Sequence, residues 1–210
     1  MDMKNIKHFI WDFDGTLMDT YPNIIRYLKM ALNDFGRDAD DREIMTKMSV
    51  TIPSTIEYYS ELYGLPDLIE HYRQYKANEP KDPIKIFPKV DLVLAKVREM
   101  GGTNYIFTNR GDTIYELLDR AGLSGGFAEI VTASDPCFKV KPAPDVINYL
   151  MEKYGGTVEN TVMIGDRLCD LESGYNAGCK TIFLVTPTVP ITPQCDWCIN
   201  DFDEMLELLK

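Results

Sequence analysis

Apolar residues fall along the chain in two patterns, short unbroken runs and stripes that repeat near the helical period. Phe9-Ile10-Trp11, Tyr105-Ile106-Phe107, Glu129-Ile130-Val131, Val162-Met163-Ile164, the run from Thr181 to Val185, and Trp197-Cys198-Ile199 are of the first kind. Their length and bulky, β-prone content predict strands, the longer runs being buried on both faces of a parallel sheet. Stripes separate them. Leu92, Val93, Leu94 and Val97 mark a helix over residues 90–100 that stops at Gly101-Gly102. Ile114, Leu117, Leu118 and Ala121 mark another, capped by Asp112 and ended by Gly122. Pro144 opens a third through Ile147, Leu150 and Met151, and two more are predicted over residues 170–176 and 202–209. Strand alternating with helix predicts an α/β fold, a doubly wound parallel sheet with a Rossmann-like core.

One stretch breaks the alternation. Ile24, Ile25, Leu28, Ala31, Leu32 and Phe35 sit at helical spacing before Gly36, and a second helical run covers Ile44 to Met48. Ser54 is read as the cap of a helix with Ile56, Tyr59 and Leu62, and Asp67 as the cap of one with Leu68, Ile69, Tyr72 and Tyr75. Pro80, Asp82 and Pro83 close the segment. The pattern predicts a small all-helical domain over residues 19–83, inserted into a core made of residues 1–18 and 84–210.

Chemistry enters where the first run stops, at Asp12-Phe13-Asp14-Gly15-Thr16. Asp12 is the first polar group at the carboxyl end of a buried strand, the end at which ligands bind in open α/β sheets. Asp12 and Asp14 are two residues apart, so an extended backbone sends both to one side. Carboxylates that close repel unless a cation sits between them or one keeps its proton. A hard divalent cation would let Asp12 stay ionised as a nucleophile while Asp14 moves a proton. The plainer reading is an Asp-Gly turn, with Thr16 as a helix cap. Strand ends converge in this fold, so the same cluster gathers Thr108, Asn109, Lys141 before Pro142, Asp166 and Asp170. Carboxylates, a lysine, a hydroxyl and strand-to-helix amides together bind and transfer a phosphoryl group. Thr108 and Asp170 also read as helix caps, Lys139 competes with Lys141, and Arg110 and Arg167 either touch substrate or pair with nearby acids.

Composition narrows the partners. A net charge of -11 disfavours nucleic acid or an anionic membrane surface, yet leaves room for a small phosphorylated metabolite held by a metal ion and local donors. The N-terminus has no leader pattern and no apolar run reaches membrane-spanning length, so a cytoplasmic, soluble protein is expected. Five scattered cysteines do not form a disulfide framework, and Cys195 and Cys198 read as residues packed on a late strand rather than a zinc or redox pair. The oligomeric state is not fixed by the sequence.

Asp12-Phe13-Asp14-Gly15-Thr16, Thr108-Asn109, Lys141-Pro142-Ala143-Pro144 and Gly165-Asp166-Arg167-Leu168-Cys169-Asp170 resemble, in order and spacing, the four motifs of the haloacid dehalogenase superfamily. The likeness spans nearly the whole chain and points to the phosphoglycolate phosphatase and beta-phosphoglucomutase-like members with a helical cap. It implies that Asp12 attacks phosphorus to form an aspartyl-phosphate and that Asp14 acts as acid and then base. Mg2+ would be held by Asp12, the Asp14 carbonyl, Asp166 and Asp170, directly or through water. The Thr108 hydroxyl, the Asn109 amide and the Lys141 ammonium would hold the phosphoryl group. Asp14 favours phosphoryl chemistry over dehalogenation, because a halide leaving group needs no proton. A Mg2+-dependent phosphatase is therefore expected, with a phosphomutase as the alternative and a non-catalytic binding protein as a lesser one. The chain departs from many relatives in having no glycine in the loop from Lys47 to Pro53, where Lys47, Ser49, Thr51 or Ser54 is expected to face the site.

Overall fold

The computed structural model describes residues 3–48, 51–77, 83–186 and 193–210, so Ser49 among the expected site-facing residues lies outside it. Six parallel strands form the sheet: β1 (His8–Trp11), β4 (Thr103–Phe107), β5 (Glu129–Val131), β6 (Thr161–Gly165), β7 (Lys180–Leu184) and β8 (Trp197–Ile199). Their order is β5-β4-β1-β6-β7-β8, the doubly wound arrangement the alternation predicts. Ile10 is in register with Tyr105 on one side and Met163 on the other.

Alternate residues of β1 serve opposite faces, as the pleat requires. Phe9 and Trp11 pack with Val93, Leu94 and Val97 of α5 (Val90–Glu99), Leu117 and Leu118 of α6 (Thr113–Arg120), and Phe202 and Met205 of α9 (Phe202–Leu208). Ile10 packs the other way, with Tyr105, Phe107 and Met163, against Val146, Ile147 and Leu150 of α7 (Asp145–Tyr154). On that same face α8 (Leu168–Ala177) comes close enough that a Cβ on Gly174 would crowd Thr181 and Met163. Trp11 is buried without stranding its indole, which donates to Asn104 Oδ1 at 3.0 Å while Asn104 Nδ2 donates to Leu94 O at 3.0 Å.

The helices α1 (Tyr21–Asn33), α2 (Asp41–Met48), α3 (Ile52–Tyr63) and α4 (Leu68–Lys76) bury a cluster of their own that includes Ile24, Leu28, Leu32, Ile44, Ile56, Tyr59 and Leu68. The chain enters and leaves this segment through an antiparallel ribbon, β2 (Met18–Asp19) with β3 (Lys85–Ile86), which the hydrophobic pattern does not reveal. Two residues per strand are too few to carry a period.

Several helix starts differ from expectation. Thr51, not Ser54, is the N-cap of α3, its hydroxyl accepting from the Ser54 N–H at 3.1 Å, and Pro53 sits in the first turn where its missing N–H costs nothing. Asp67 and Asp112 occupy N-cap positions without a capping hydrogen bond. Thr16 caps no helix; its hydroxyl turns into the site instead. Leu62, placed on the core stripe of α3, is 53% exposed. No described helix is long and apolar enough to cross a membrane.

Candidate active site

The sheet reverses its direction of winding at β1, with β4 on one side and β6 on the other, and the strand ends open a crevice there. Asp12 follows β1 directly, and its N–H still donates to Ile164 O at 2.8 Å, which ties its carboxylate to the sheet. Gly15 then turns the chain with a φ of 79°, and a Cβ at that position would run into the Tyr21 ring and the Asp166 carboxylate. Glycine is required there twice over.

Every carboxylate in the crevice is buried and held. Lys141 Nζ lies 2.6 Å from Asp12 Oδ1 and 2.5 Å from Asp170 Oδ1, so one ammonium bridges two acids that are 129 and 29 residues away. The contact with Asp170 is an ion pair rather than a directed hydrogen bond. Arg167 Nη2 lies 3.3 Å from Asp12 Oδ2. Asp170 also caps α8, its Oδ2 accepting from the Arg167 N–H at 2.9 Å, so it serves both the helix end and the cluster. Asp166 accepts from Thr16 Oγ1 at 3.0 Å and from the Tyr21 hydroxyl at 2.5 Å. That hydroxyl also reaches the Asp14 carbonyl, at 3.4 Å, so the carbonyl and Asp166 converge on one point.

Asp14 stands apart from this group. Its carboxylate takes Arg110 Nε at 3.0 and 3.1 Å, a further bond from Arg110 Nη2, and the Thr20 hydroxyl at 2.7 Å. Burial alone would raise its pKa, but the charge and hydrogen bonds of Arg110, helped by Lys76 and Thr20, hold it well below the usual carboxylate range. Asp12 goes the other way. Burial lifts it, and Asp170 adds to the lift against the pull of Lys141 and Arg167. Asp166 is lifted by burial as well, with Arg167 opposing and Asp170 and Asp12 adding. Lys141 stays above its ordinary value despite burial, because Asp12 and Asp170 face it.

Asp12, Asp166 and Asp170 each offer an oxygen within 4.8 Å of the others', and all three are fully buried. A divalent cation fits this set: the donors are all carboxylate oxygen, as Mg2+ or Ca2+ prefers, and Asp170 Oδ1 is buried with no hydrogen bond directed at it.

The remaining expected residues divide. Lys141 is buried against Asp12 and Asp170, whereas Lys139 is exposed. The Asn109 side chain brackets the Lys141 backbone, accepting from its N–H at 2.8 Å and donating to its carbonyl at 3.2 Å, so it positions the lysine. The Thr108 hydroxyl accepts from the Arg110 N–H at 3.1 Å within its own turn. Both arginines left open by the sequence pair with acids, and both line the cavity above the cluster. Arg167 Nε is buried with no hydrogen-bond partner, a donor available to a ligand.

That cavity measures about 540 Å³ and separates the strand ends from the helical segment. Asp14, Asn109, Arg110, Lys141 and Arg167 line it from the sheet side. Thr51, Ile52 and Ile56 reach it from around α3, and Ile69, Tyr72, Arg73 and Lys76 from α4. Of the residues expected to face the site, Thr51 does so. Lys47 instead lies 3.4 Å over the Tyr58 ring, and Ser54 Oγ donates to the Thr51 carbonyl at 2.9 Å. Tyr21, Arg73 and Lys76 are absent from the sequence reading. Ile69, Tyr72, Arg73 and Lys76 are spaced i, i+3, i+4, i+7, a stripe visible in the sequence but mixed in character and so not read as one face.

A doubly wound sheet carrying buried carboxylates at its switch point places acidic groups where α/β proteins bind ligands. The chain belongs to the haloacid dehalogenase-like hydrolases: the profile of that family matches residues 9–184. It is 27% identical over 196 residues to a phosphoglycolate phosphatase of Aliivibrio fischeri, covering 86% of this chain and 85% of that protein. It is 25% identical over 178 residues to the pyrophosphatase PpaX of Oceanobacillus iheyensis, covering 84% and 82%. The fold matches the crystal structure of a predicted phosphoglycolate phosphatase from Haemophilus somnus with a TM-score of 0.83 at 21% identity, over 98% of this chain and 99% of that one.

Proposed function

We propose that this chain is a Mg2+-dependent phosphatase that hydrolyses a small phosphorylated metabolite through an aspartyl-phosphate on Asp12, with α1–α4 acting as a cap. The observation that carries the reading is the meeting of Asp12 with Lys141, Arg167, Asp166 and Asp170 at the end of one central strand. The names of the two curated relatives, which share the family but differ in substrate, support phosphate-ester or phosphoanhydride chemistry.

Asp12, Asp166 and Asp170, with the Asp14 carbonyl, would hold the cation. Once bound, its charge keeps Asp12 ionised and lessens repulsion between an anionic nucleophile and an anionic phosphate. Lys141 and Arg167 flank the two Asp12 oxygens, so they steer the nucleophile and would lie beside the oxygens of the phosphorus it attacks. Arg167 Nε gives its spare N–H to one of those oxygens. As the new Asp12–phosphorus bond forms, the ester oxygen departs and takes a proton from Asp14. Asp14 then removes a proton from the water that attacks the same phosphorus, releasing phosphate and restoring Asp12. Arg110 keeps Asp14 ionised in the structure described here, the state the second step uses; the first step needs Asp14 protonated, and the proton taken from the attacking water restores that state for the next turnover.

The test is phosphate release from a panel of phosphate monoesters with Mg2+ and with EDTA. Release that EDTA abolishes and Mg2+ restores supports the reading. No release from any ester contradicts it, and rearrangement of a sugar phosphate without release identifies a mutase.

A further inference from the structure

Given the phosphatase reading and its cation, we infer that the Tyr21 hydroxyl is a gate on the cation site: it and a divalent cation compete for the Asp14 carbonyl and the Asp166 carboxylate, so that binding the cation frees the start of α1 from the crevice. Position is the first argument. The hydroxyl lies 2.5 Å from Asp166 Oδ2 and 3.4 Å from the Asp14 carbonyl oxygen. A Cβ on Gly15 would come within 2.5 Å of the same Oδ2, so this is the Asp166 oxygen that faces the Asp14–Gly15 peptide. Mg2+ holds its oxygens at about 2.0–2.1 Å and needs near-octahedral room for the waters it keeps. A cation joining these two oxygens therefore requires the place where the phenol oxygen stands. The two do not share it, because the hydroxyl turns its hydrogen to Asp166 and so toward the incoming charge.

Attachment is the second argument. Tyr21 opens α1, and its ring is buried in the cluster formed by α1–α4, so one side chain joins the helical segment to an acid of the crevice. The residue before it does the same. Thr20 stands at the N-cap of α1, yet its hydroxyl makes no capping bond and donates to Asp14 Oδ1 at 2.7 Å. The first turn also carries no acidic residue. Two of the local devices that fix a helix start are thus missing from α1, and the crevice acids hold it instead. Whatever takes Asp166 from Tyr21 loosens that first turn.

The third argument separates competition from support. Thr16 Oγ1 donates to the other Asp166 oxygen at 3.0 Å, and Thr186 Oγ1 lies 3.5 Å from Oδ2. The carboxylate is oriented without Tyr21, so loss of the phenol hydroxyl removes an occupant rather than a brace.

The test is isothermal titration calorimetry of Mg2+ into the full chain, parent against Tyr21→Phe. The phenyl ring keeps the packing and loses only the oxygen. The expected result is a Kd at least about fivefold lower in Tyr21→Phe, because the cation no longer breaks a hydrogen bond to a charged group. A hydroxyl that merely orients Asp166 gives the opposite sign, a higher Kd. Thr16→Val removes a donor from Asp166 without clearing the place beside the Asp14 carbonyl, and its Kd is expected to equal or exceed the parent's. Amide hydrogen exchange reads the link to α1. The N–H groups of Asn23 and Ile24, which both donate to the Thr20 carbonyl at 3.1 Å, are expected to exchange faster in the parent once Mg2+ is added. The gate is overturned, with the phosphatase reading left in place, by a Kd in Tyr21→Phe equal to or above the parent's or by an equal tightening in Thr16→Val. Exchange at Asn23 and Ile24 that Mg2+ slows or leaves unchanged overturns it too. Absence of Mg2+ binding in both the parent and Tyr21→Phe instead overturns the cation-dependent reading, and the gate with it.

Discussion

At the scale of single residues, charge neutralisation in the buried crevice sets both stability and chemistry. Lys141 bridges Asp12 and Asp170 with almost no exposure, so Lys141→Met leaves two buried carboxylates short of a counter-charge. Removing one partner of a buried pair costs about 3–5 kcal/mol. For a chain of this size each kcal/mol lowers Tm by roughly 2–4 °C, so the variant is expected to melt about 6–20 °C below the parent in differential scanning calorimetry. A Tm within a degree of the parent would show that the bridge holds no such role. Asp12→Asn keeps the shape of the side chain and removes the nucleophile, so turnover is expected to fall by at least about four orders of magnitude in a phosphate-release assay. Asp12 and Asp166 were legible in the sequence because each stands at the end of an apolar run, Lys141 because it precedes Pro142, and Asp170 through the motif it shares with Asp166. Tyr21 was not. Its hydroxyl reaches Asp166 across 145 residues, and a tyrosine at the start of an amphipathic helix carries no local sign of that contact. The role of Asn109 was hidden for the same reason, since its bond to Lys141 is set by how two loops meet, whereas the Thr108 hydroxyl is turned back onto the Arg110 N–H of its own turn.

At the scale of elements, the turn after β1 is the most constrained. Gly15 has a positive φ and faces the Tyr21 ring and Asp166, so Gly15→Ala meets a backbone penalty of about 1–2 kcal/mol and a clash at the cluster as well. Activity is expected to fall more than the melting temperature does, since the clash falls on Asp166. Comparing the loss in kcat with the shift in Tm checks this, and an unchanged kcat would show that the turn does not position the site. Strands and long helices were read from the hydrophobic pattern because burial on a sheet imposes one. The β2–β3 ribbon escaped, since two residues a strand with Asp19 and Lys85 among them show no alternation. The α3 cap was misplaced by three residues because Thr51 and Ser54 are both competent caps and only the backbone decides between them. Arg73 and Lys76 lie on a stripe of α4 whose apolar members, Ile69 and Tyr72, were read as one helical face, while its basic members carried no reading.

At the scale of the whole molecule, an acidic protein encloses a cavity walled with arginine and lysine, between a parallel sheet and a helical segment with its own apolar cluster. The proposed cation site ties metal binding to stability. A cation that binds the folded state at one hundred times its Kd adds about 2.7 kcal/mol, so saturating Mg2+ is expected to raise Tm by several degrees and EDTA to reverse it. Asp166→Asn is expected to lose most of that rise, because it removes a ligand from the group Asp12, Asp166 and Asp170. An equal rise in the variant would place the cation elsewhere.

The central claim is that Asp12 accepts the phosphoryl group. It is tested most directly by acid-quenching the enzyme during turnover of a good ester and mapping its peptides by mass spectrometry. The account predicts one phosphoryl group on the peptide containing Asp12, present only with Mg2+ and substrate and absent in Asp12→Asn. Steady turnover with no adduct on that peptide, together with an active Asp12→Asn, would contradict it.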